Sequence, residues 1–185
     1  CAERLGADAI MDLSNSGKTR FFRQELVQKT PLMIGTVPMY DAIGYMEKPL
    51  VKLTKDDLLA TVRAHAEDGV DFLTIHLLPY WEDDPTGIDA ALNQVANVRR
   101  AFGSAYAPKD ILIGETGWPS EGRQRETALP SRVNEALFIR GFVKLAEDNG
   151  WRYNLIEAFD QPWKRDSEGA VGGFWGLYDA DRGDK

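Results

Sequence analysis

The stretch DILIGE, residues 110–115, decides the fold. Ile111, Leu112 and Ile113 run without alternation towards a bare carboxylate, Glu115, and the chain then turns through Thr-Gly-Trp-Pro-Ser. A short continuous apolar run bounded by turn residues reads as a strand covered on both faces. A buried unpaired carboxylate is costly, so Glu115 is expected at the open end of its strand, facing a cleft.

Four further runs have the same character: ADAIMDL (7–13), PLMIGTVPM (31–39), VDFLTIHLL (70–78) and YNLIEAF (153–159). Helical patterns lie between them. TKDDLLATVRAHAEDG (54–69) opens with Thr54 as N-cap, carries Asp56 and Asp57 in its first turn and closes on Gly69. IDAALNQVANVRRAF (88–102) spaces its apolar residues helically, and PSRVNEALFIRGFVKLAEDNG (130–150) runs from a cap near Ser131 to Asn149-Gly150. Strand and helix alternate, so right-handed βαβ crossovers imply a parallel α/β sheet. A doubly wound sheet and a barrel both satisfy this pattern. No glycine-rich phosphate loop follows the first strand, which favours the (β/α) units of a TIM-type barrel, here a partial barrel of about five strands.

The strand ends read MDLSNSG, TVPMYD, IHLLPYWED, GETGWPS and EAFDQPWK. Polar, ionisable and aromatic residues thus collect where parallel α/β barrels build their active sites. The apolar fraction of 43% and charged fraction of 28% are those of an ordinary globular protein. A net charge of −7 disfavours nucleic acid and anionic membrane surfaces as partners. The single cysteine, Cys1, excludes an intrachain disulfide and a cysteine cluster, and no apolar run reaches the ~20 residues that cross a bilayer. No metal or cofactor is expected. The chain starts without methionine, within a helical pattern, and stops at DADRGDK without a cap, so it reads as a piece of something longer.

Hydrolysis of a glycosidic bond needs two carboxyl groups and flat aromatic surfaces that hold sugar rings. Glu115 with Trp118, Glu157 with Trp163, and Glu82 with Tyr80 and Trp81 supply those residue types at three strand ends. Each has a plainer alternative: Glu115 as a loop cap, Glu82 as a solvated charge, Glu157 as an ion-pair partner of Lys164 or Arg165, and the tryptophans as rim packing. Five strand ends of like character favour a site.

Over residues 71–182, the phrases VDFLTIHLLPYWE, ILIGETGWPS, EAFDQPWK and GGFWGLYDADR resemble glycoside hydrolase family seventeen, the β-1,3-glucanases. The resemblance implies a retaining mechanism with Glu115 as nucleophile. It implies that Lys164 is an active-site lysine, that Glu168 is an auxiliary carboxylate, and that Tyr80, Trp118 and Trp163 line sugar subsites; Trp81 joins the substrate-binding candidates by its place at the strand end beside Tyr80. His76 also matches a family histidine. The family's general acid, a glutamate in an Asn-Glu pair ending an earlier strand, has no match: Asn134-Glu135 has the letters but falls in a helical pattern. Glu157 and Glu82 are the substitutes, Glu157 the one retained as a catalytic candidate.

Over residues 2–76, CAERLGADAIMDLSNSGKTR, PLMIGTVPMYDAIGY and AEDGVDFLTIH resemble phosphomethylpyrimidine synthase of the thiamine pathway. That resemblance implies substrate-contacting roles for Met11, Tyr40 and His76, although the family's three-cysteine motif is absent. The chain therefore looks chimeric within one α/β domain (1–185), a synthase-like segment (1–76) meeting a glycoside-hydrolase-like segment (71–185) inside the strand phrase VDFLTIH. The expected function is hydrolysis or binding of β-1,3-glucan oligosaccharide, weak or absent in catalysis for want of the acid. The alternatives are a non-catalytic carbohydrate-binding or inert scaffold and a fragment that binds a ribotide. Five strands do not close a barrel of eight, so self-association to complete it is also expected.

Overall fold

The computed structural model describes residues 2–181 and 183–185, with the side chain of Leu50 left aside; Cys1, the lone cysteine, lies outside the described residues. The five expected strands form, each shorter than or close to its apolar run: β1 (Ala9–Asp12), β2 (Met33–Thr36), β3 (Phe72–Leu77), β4 (Asp110–Thr116) and β5 (Arg152–Leu155). Their order in the sheet is β1-β2-β3-β4-β5. A doubly wound sheet reverses its order at a switch point, whereas a barrel adds each strand beside the last. The unbroken order therefore selects the barrel type, and the fold is a parallel (β/α) sheet with five of a TIM barrel's strands.

The chain divides into two compact units, Cys1–Ile75 with Phe102–Leu112, and His76–Ala101 with Ile113–Lys185. The first holds α1 (Thr19–Lys29), α2 (Pro38–Met46) and α3 (Lys55–Glu67). Its parallel register pairs Ile10 with Ile34 and Asp12 with Thr36, then Gly35 with Phe72. Gly35 is required there, because a Cβ would run into the Phe72 ring. Thr54 caps α3 as expected, in a reciprocal box with Asp57. Helices α1 and α2 were not legible as periodic patterns. Beneath α1, Arg23 is fully buried: Nη2 lies 2.9 Å from Asp68 and Nη1 lies 3.2 Å from Asp41, and Asp41 also meets His65 Nε2 at 2.9 Å. Burial pushes the Asp41 carboxyl up, but hydrogen bonds from His65, Thr19 and Arg23 outweigh it and leave the group below the ordinary carboxylate value.

The second unit holds most of α4 (Ile88–Ala105) and all of α5 (Arg132–Asn149). Ser131 caps α5 by accepting from Asn134 N–H, and Gly150 ends it at φ 63°, in the left-handed region that glycine adopts without strain. Phe138, Phe142 and Ala146 of α5 are fully buried with Ile113 of β4. One expectation needs correcting: β3 and β4 are largely covered, but β5 alternates between exposed and half-covered positions, and so does β1 up to its buried last residue, Asp12. Outer strands lack a neighbour on one side, so an apolar run there is not evidence of burial on both faces.

Candidate active site

Strand β4 delivers Glu115 at its C-terminal end, as its position after the apolar run implied. The following turn runs close to β5: Ile156 N–H donates to Thr116 C=O at 2.9 Å, and a Cβ on Gly117 would collide with Ile156 C=O. That approach explains the glycine in Glu-Thr-Gly-Trp. Glu157, next after Ile156, is clasped to the segment 175–177 by two backbone bonds, Glu157 N–H to Trp175 C=O and Leu177 N–H to Glu157 C=O, each 2.8 Å.

Glu115, Glu157, Lys164, Glu168, Trp81 and Trp175 line one cleft of about 450 Å³ within the second unit. Glu115 is well exposed, its side chain at 39%, and its Oε2 lies 3.3 Å from His76 Nδ1. Glu157 is more enclosed, at 15%; its Oε2 accepts from Lys164 Nζ at 2.7 Å and from the Gln161 side-chain amide. Lys164 ends a 3-10 turn, Pro162–Lys164, that projects it back to the strand end. A part-exposed carboxylate beside a histidine, a second carboxylate anchored by a lysine and an aromatic wall form a set whose chemistry can meet a saccharide.

Not every candidate arrives there. Trp118, expected to line a sugar subsite, is instead fully buried: its indole N–H donates to Leu129 C=O at 3.1 Å and its ring packs against Phe138 of α5. Helix α5 packs over this ring, whereas among the described residues nothing comparable covers Trp81 or Trp163. Tyr80 is likewise buried, its hydroxyl donating to Arg123 C=O at 2.6 Å. Trp163 stands 68% exposed and forms no wall of the cleft. Trp81 does form a wall, stacked on Trp175 with ring centroids 6.2 Å apart and planes 20° apart.

Glu82 borders a separate small cavity of about 160 Å³ that His76 also lines, and burial, with Asp83 adding to it, raises its carboxyl above the ordinary value. Asn134 and Glu135 lie inside α5, as expected. Met11 and Tyr40 belong to the first unit and are 37% and 43% exposed; the Met11 thioether faces the Thr74 hydroxyl at 3.8 Å. Sequence reasoning missed Trp175 and Gln161, although both sit in quoted phrases, GGFWGLYDADR and EAFDQPWK. Among the described residues no cluster of three or more His, Cys, Asp or Glu is arranged to hold a metal ion, and no helix is long and apolar enough to cross a membrane.

Glu115, Glu157, Lys164 and two tryptophans thus meet in one cleft at the strand ends of a (β/α) sheet. The chain belongs to the BtgE/BtgC glycoside hydrolase domain family, whose profile matches residues 37–176. It shares its fold with a glycoside hydrolase family 17 β-1,3-glucanosyltransferase from Rhizomucor miehei (TM-score 0.68, 22% identity, 94% of this chain and 56% of that one). An active-site mutant of the same Rhizomucor miehei enzyme, in complex with laminaritriose, aligns at TM-score 0.68 and 21% identity over 100% of this chain and 59% of that one. The chain is also 61% identical over 72 residues to the phosphomethylpyrimidine synthase of Clostridioides difficile, which covers 39% of this chain and 17% of the synthase. The chain thus spans little more than half of the first two relatives and under a fifth of the third. The chimeric character expected from the sequence is seen in these two unlike matches, and the glycoside hydrolase match begins at residue 37, upstream of the point near residue 71 where its phrases start.

Proposed function

We propose that this chain is the nucleophile-bearing part of a retaining glycoside hydrolase that acts on, or binds, β-1,3-glucan. Glu115 is the nucleophile. Glu157, anchored by Lys164, is the second carboxylate of the cleft, and Trp81 with Trp175 forms the surface against which a sugar ring lies. His76 orients Glu115, and Glu168 closes the cleft as an auxiliary carboxylate. The observation that carries this reading is that Glu115, Glu157, Lys164 and two tryptophans line a single cleft. In a retaining mechanism the nucleophile forms a glycosyl-enzyme while an acid protonates the leaving oxygen. The family's acid has no counterpart in this sequence, and its loss removes about 10²–10⁴-fold in rate. Turnover of an unactivated glucan is therefore weak or absent.

The test is aglycone release from an aryl β-laminarioligoside, whose leaving group needs no protonation, beside reducing-sugar release from a soluble β-1,3-glucan. Glu115 as nucleophile predicts a burst of aryl release that Glu115→Gln abolishes, with little release from the glucan. Aryl release that persists in Glu115→Gln would sink the assignment.

A second reading is favoured by the high identity to phosphomethylpyrimidine synthase over 72 residues: the N-terminal part of the chain is a synthase-derived segment, with Met11 and Tyr40 of the first unit on ribotide-contacting positions. Binding of aminoimidazole ribotide, lost in Tyr40→Ala, is its test. Either reading leaves five strands where a closed barrel has eight, so self-association through the outer strands completes the proposal. Sedimentation across a concentration series that shows only monomer would refute that part.

A further inference from the structure

The ammonium of Lys185 lies buried within the second unit, its side chain 6% exposed. It bonds Asp160 Oδ1 at 2.7 Å and Ser120 Oγ at 2.6 Å, while Glu135 Oε1 of α5 stands off at 3.6 Å. None of these residues lines the cleft. The two groups that Lys185 grips nevertheless bond the backbone on either side of Trp175, which does line it. We propose that Lys185 is a positioning residue: its buried ammonium locks Ser120 and Asp160 onto the segment 174–176 and so fixes the Trp175 ring as a wall of the cleft. The inference rests on the proposed function, whose aromatic wall it explains.

Ser120, in the loop after β4, meets Phe174 C=O twice, donating its N–H at 2.8 Å and its hydroxyl at 3.2 Å. Asp160, in the loop after β5, accepts the Gly176 N–H on Oδ1 at 2.9 Å. Between them Trp175 C=O accepts from Glu157 N–H, so three backbone groups around the ring are held from three directions. A Cβ on Gly176 would strike the Phe159 and Asp160 backbone, which leaves the segment no slack. The ring itself is stacked on Trp81 and edge-on to Tyr80. Stacked rings slide over one another at little cost, so the depth of Trp175 in the cleft is set by its backbone.

The cation is what makes these bonds directional. An ammonium only donates, so a Ser120 hydroxyl that accepts from Nζ has its hydrogen free for Phe174 C=O. The Asp160 carboxylate, 8% exposed, accepts from Nζ and from Gly176 on the same oxygen. Without Lys185 it is a buried carboxylate lacking its cation, a costly state that it relieves by turning out to water and releasing Gly176. The chain delivers Lys185 to this place by a local fold. Asp179 N–H donates to Gly183 C=O at 3.0 Å, Asp179 Oδ1 accepts from Gly183 N–H at 2.7 Å, and Tyr178 bridges both Asp184 and Phe159, the neighbours of Lys185 and Asp160.

The experiment compares the parent protein with Lys185→Met, which keeps the apolar stem and removes the ammonium, by acrylamide quenching of tryptophan fluorescence well below the melting transition. Trp175 is 3% exposed, so its release is expected as increased quenching, and Lys185→Met is expected to add none in a Trp175→Phe background. In the Glu115→Gln protein, Lys185→Met is expected to weaken calorimetric binding of a β-1,3-linked glucotrisaccharide about tenfold, the upper end of what one aromatic face contributes. A lowered melting temperature with quenching and binding unchanged makes Lys185 a structural ion pair only and overturns the inference. If Lys185→Met does not fold, Ser120→Ala, which deletes the hydroxyl link alone, takes its place, and unchanged quenching in that variant overturns the inference equally. If the trisaccharide binds neither protein while quenching responds as expected, the proposed function falls and the positioning of Trp175 by Lys185 stands.

Discussion

Glu115 Oε2 and His76 Nδ1 stand 3.3 Å apart, at the ends of two neighbouring strands of the sheet, β4 and β3. The half-exposed carboxylate is thus held from one side by an imidazole rather than by a cation of its own loop. If Glu115 is the nucleophile, His76→Ala leaves it free to leave the attack line, and small misplacements of that kind cost about 10²-fold. The expected outcome is aryl-laminarioside turnover reduced in kcat with KM little changed. An unchanged kcat would show that His76 does not orient the nucleophile.

Arg23 should be the most sensitive position of the first unit. Its guanidinium bonds Asp68 and Asp41 while wholly buried, so Arg23→Leu leaves Asp41 with His65 and Thr19 and Asp68 with the part-exposed Arg20 and Gln24. Breaking a buried pair by removing one partner costs about 3–5 kcal/mol. Urea unfolding should show that loss, and Arg23→Lys should restore little, since a lysine cannot reach both carboxylates with a fork. A loss under about 1 kcal/mol would contradict the burial of this cluster.

The start of α3 should report on acid. Lys48 Nζ at 2.7 Å, then Thr54 backbone and hydroxyl, hold the Asp57 carboxyl at about 2, below its ordinary 3.8. A depressed folded value stabilises above pH 3.8, and that contribution is lost as pH falls from 3.8 through 2. Asp57→Asn should therefore flatten the melting temperature over this interval. Thr54→Ala, which removes the cap, should cost about 1 kcal/mol at neutral pH.

Glu135 in α5 behaves in the opposite sense. Burial pushes its carboxyl up to about 7 despite the pull of Lys185, whose Nζ lies 3.6 Å away. A raised folded value means that folding is favoured below the ordinary 4.5 and that the contribution is lost as pH rises through 7. The parent protein should lose stability between pH 4.5 and pH 7 while Glu135→Gln stays level across it. Parallel melting curves for the two proteins would refute the shift.

Much of the fold was legible along the chain. Continuous apolar runs, Thr54 and Ser131 as caps and Gly69 and Gly150 as stops are local signals, because backbone propensity and capping act within a few residues. The strand-end location of Glu115 followed from the same logic, since a charge cannot sit in the middle of a covered strand. Helices α1 and α2 were hidden. The most deeply buried side chain of α1 is an arginine, Arg23, so its apolar periodicity is broken where it packs.

What only the tertiary structure decided is which of several chemically equal residues faces the cleft. Trp81 and Trp118 follow strands in similar phrases, yet one is an exposed wall and the other lies wholly beneath α5. Arg23 and Asp68 are 45 residues apart in the chain and in contact in the fold. Burial is set by which distant segment packs over a side chain, and that depends on the docking of whole elements. Residue type and spacing therefore identified the chemistry available at the strand ends, while long-range packing chose Trp81, Trp175 and Glu157 to stand beside Glu115.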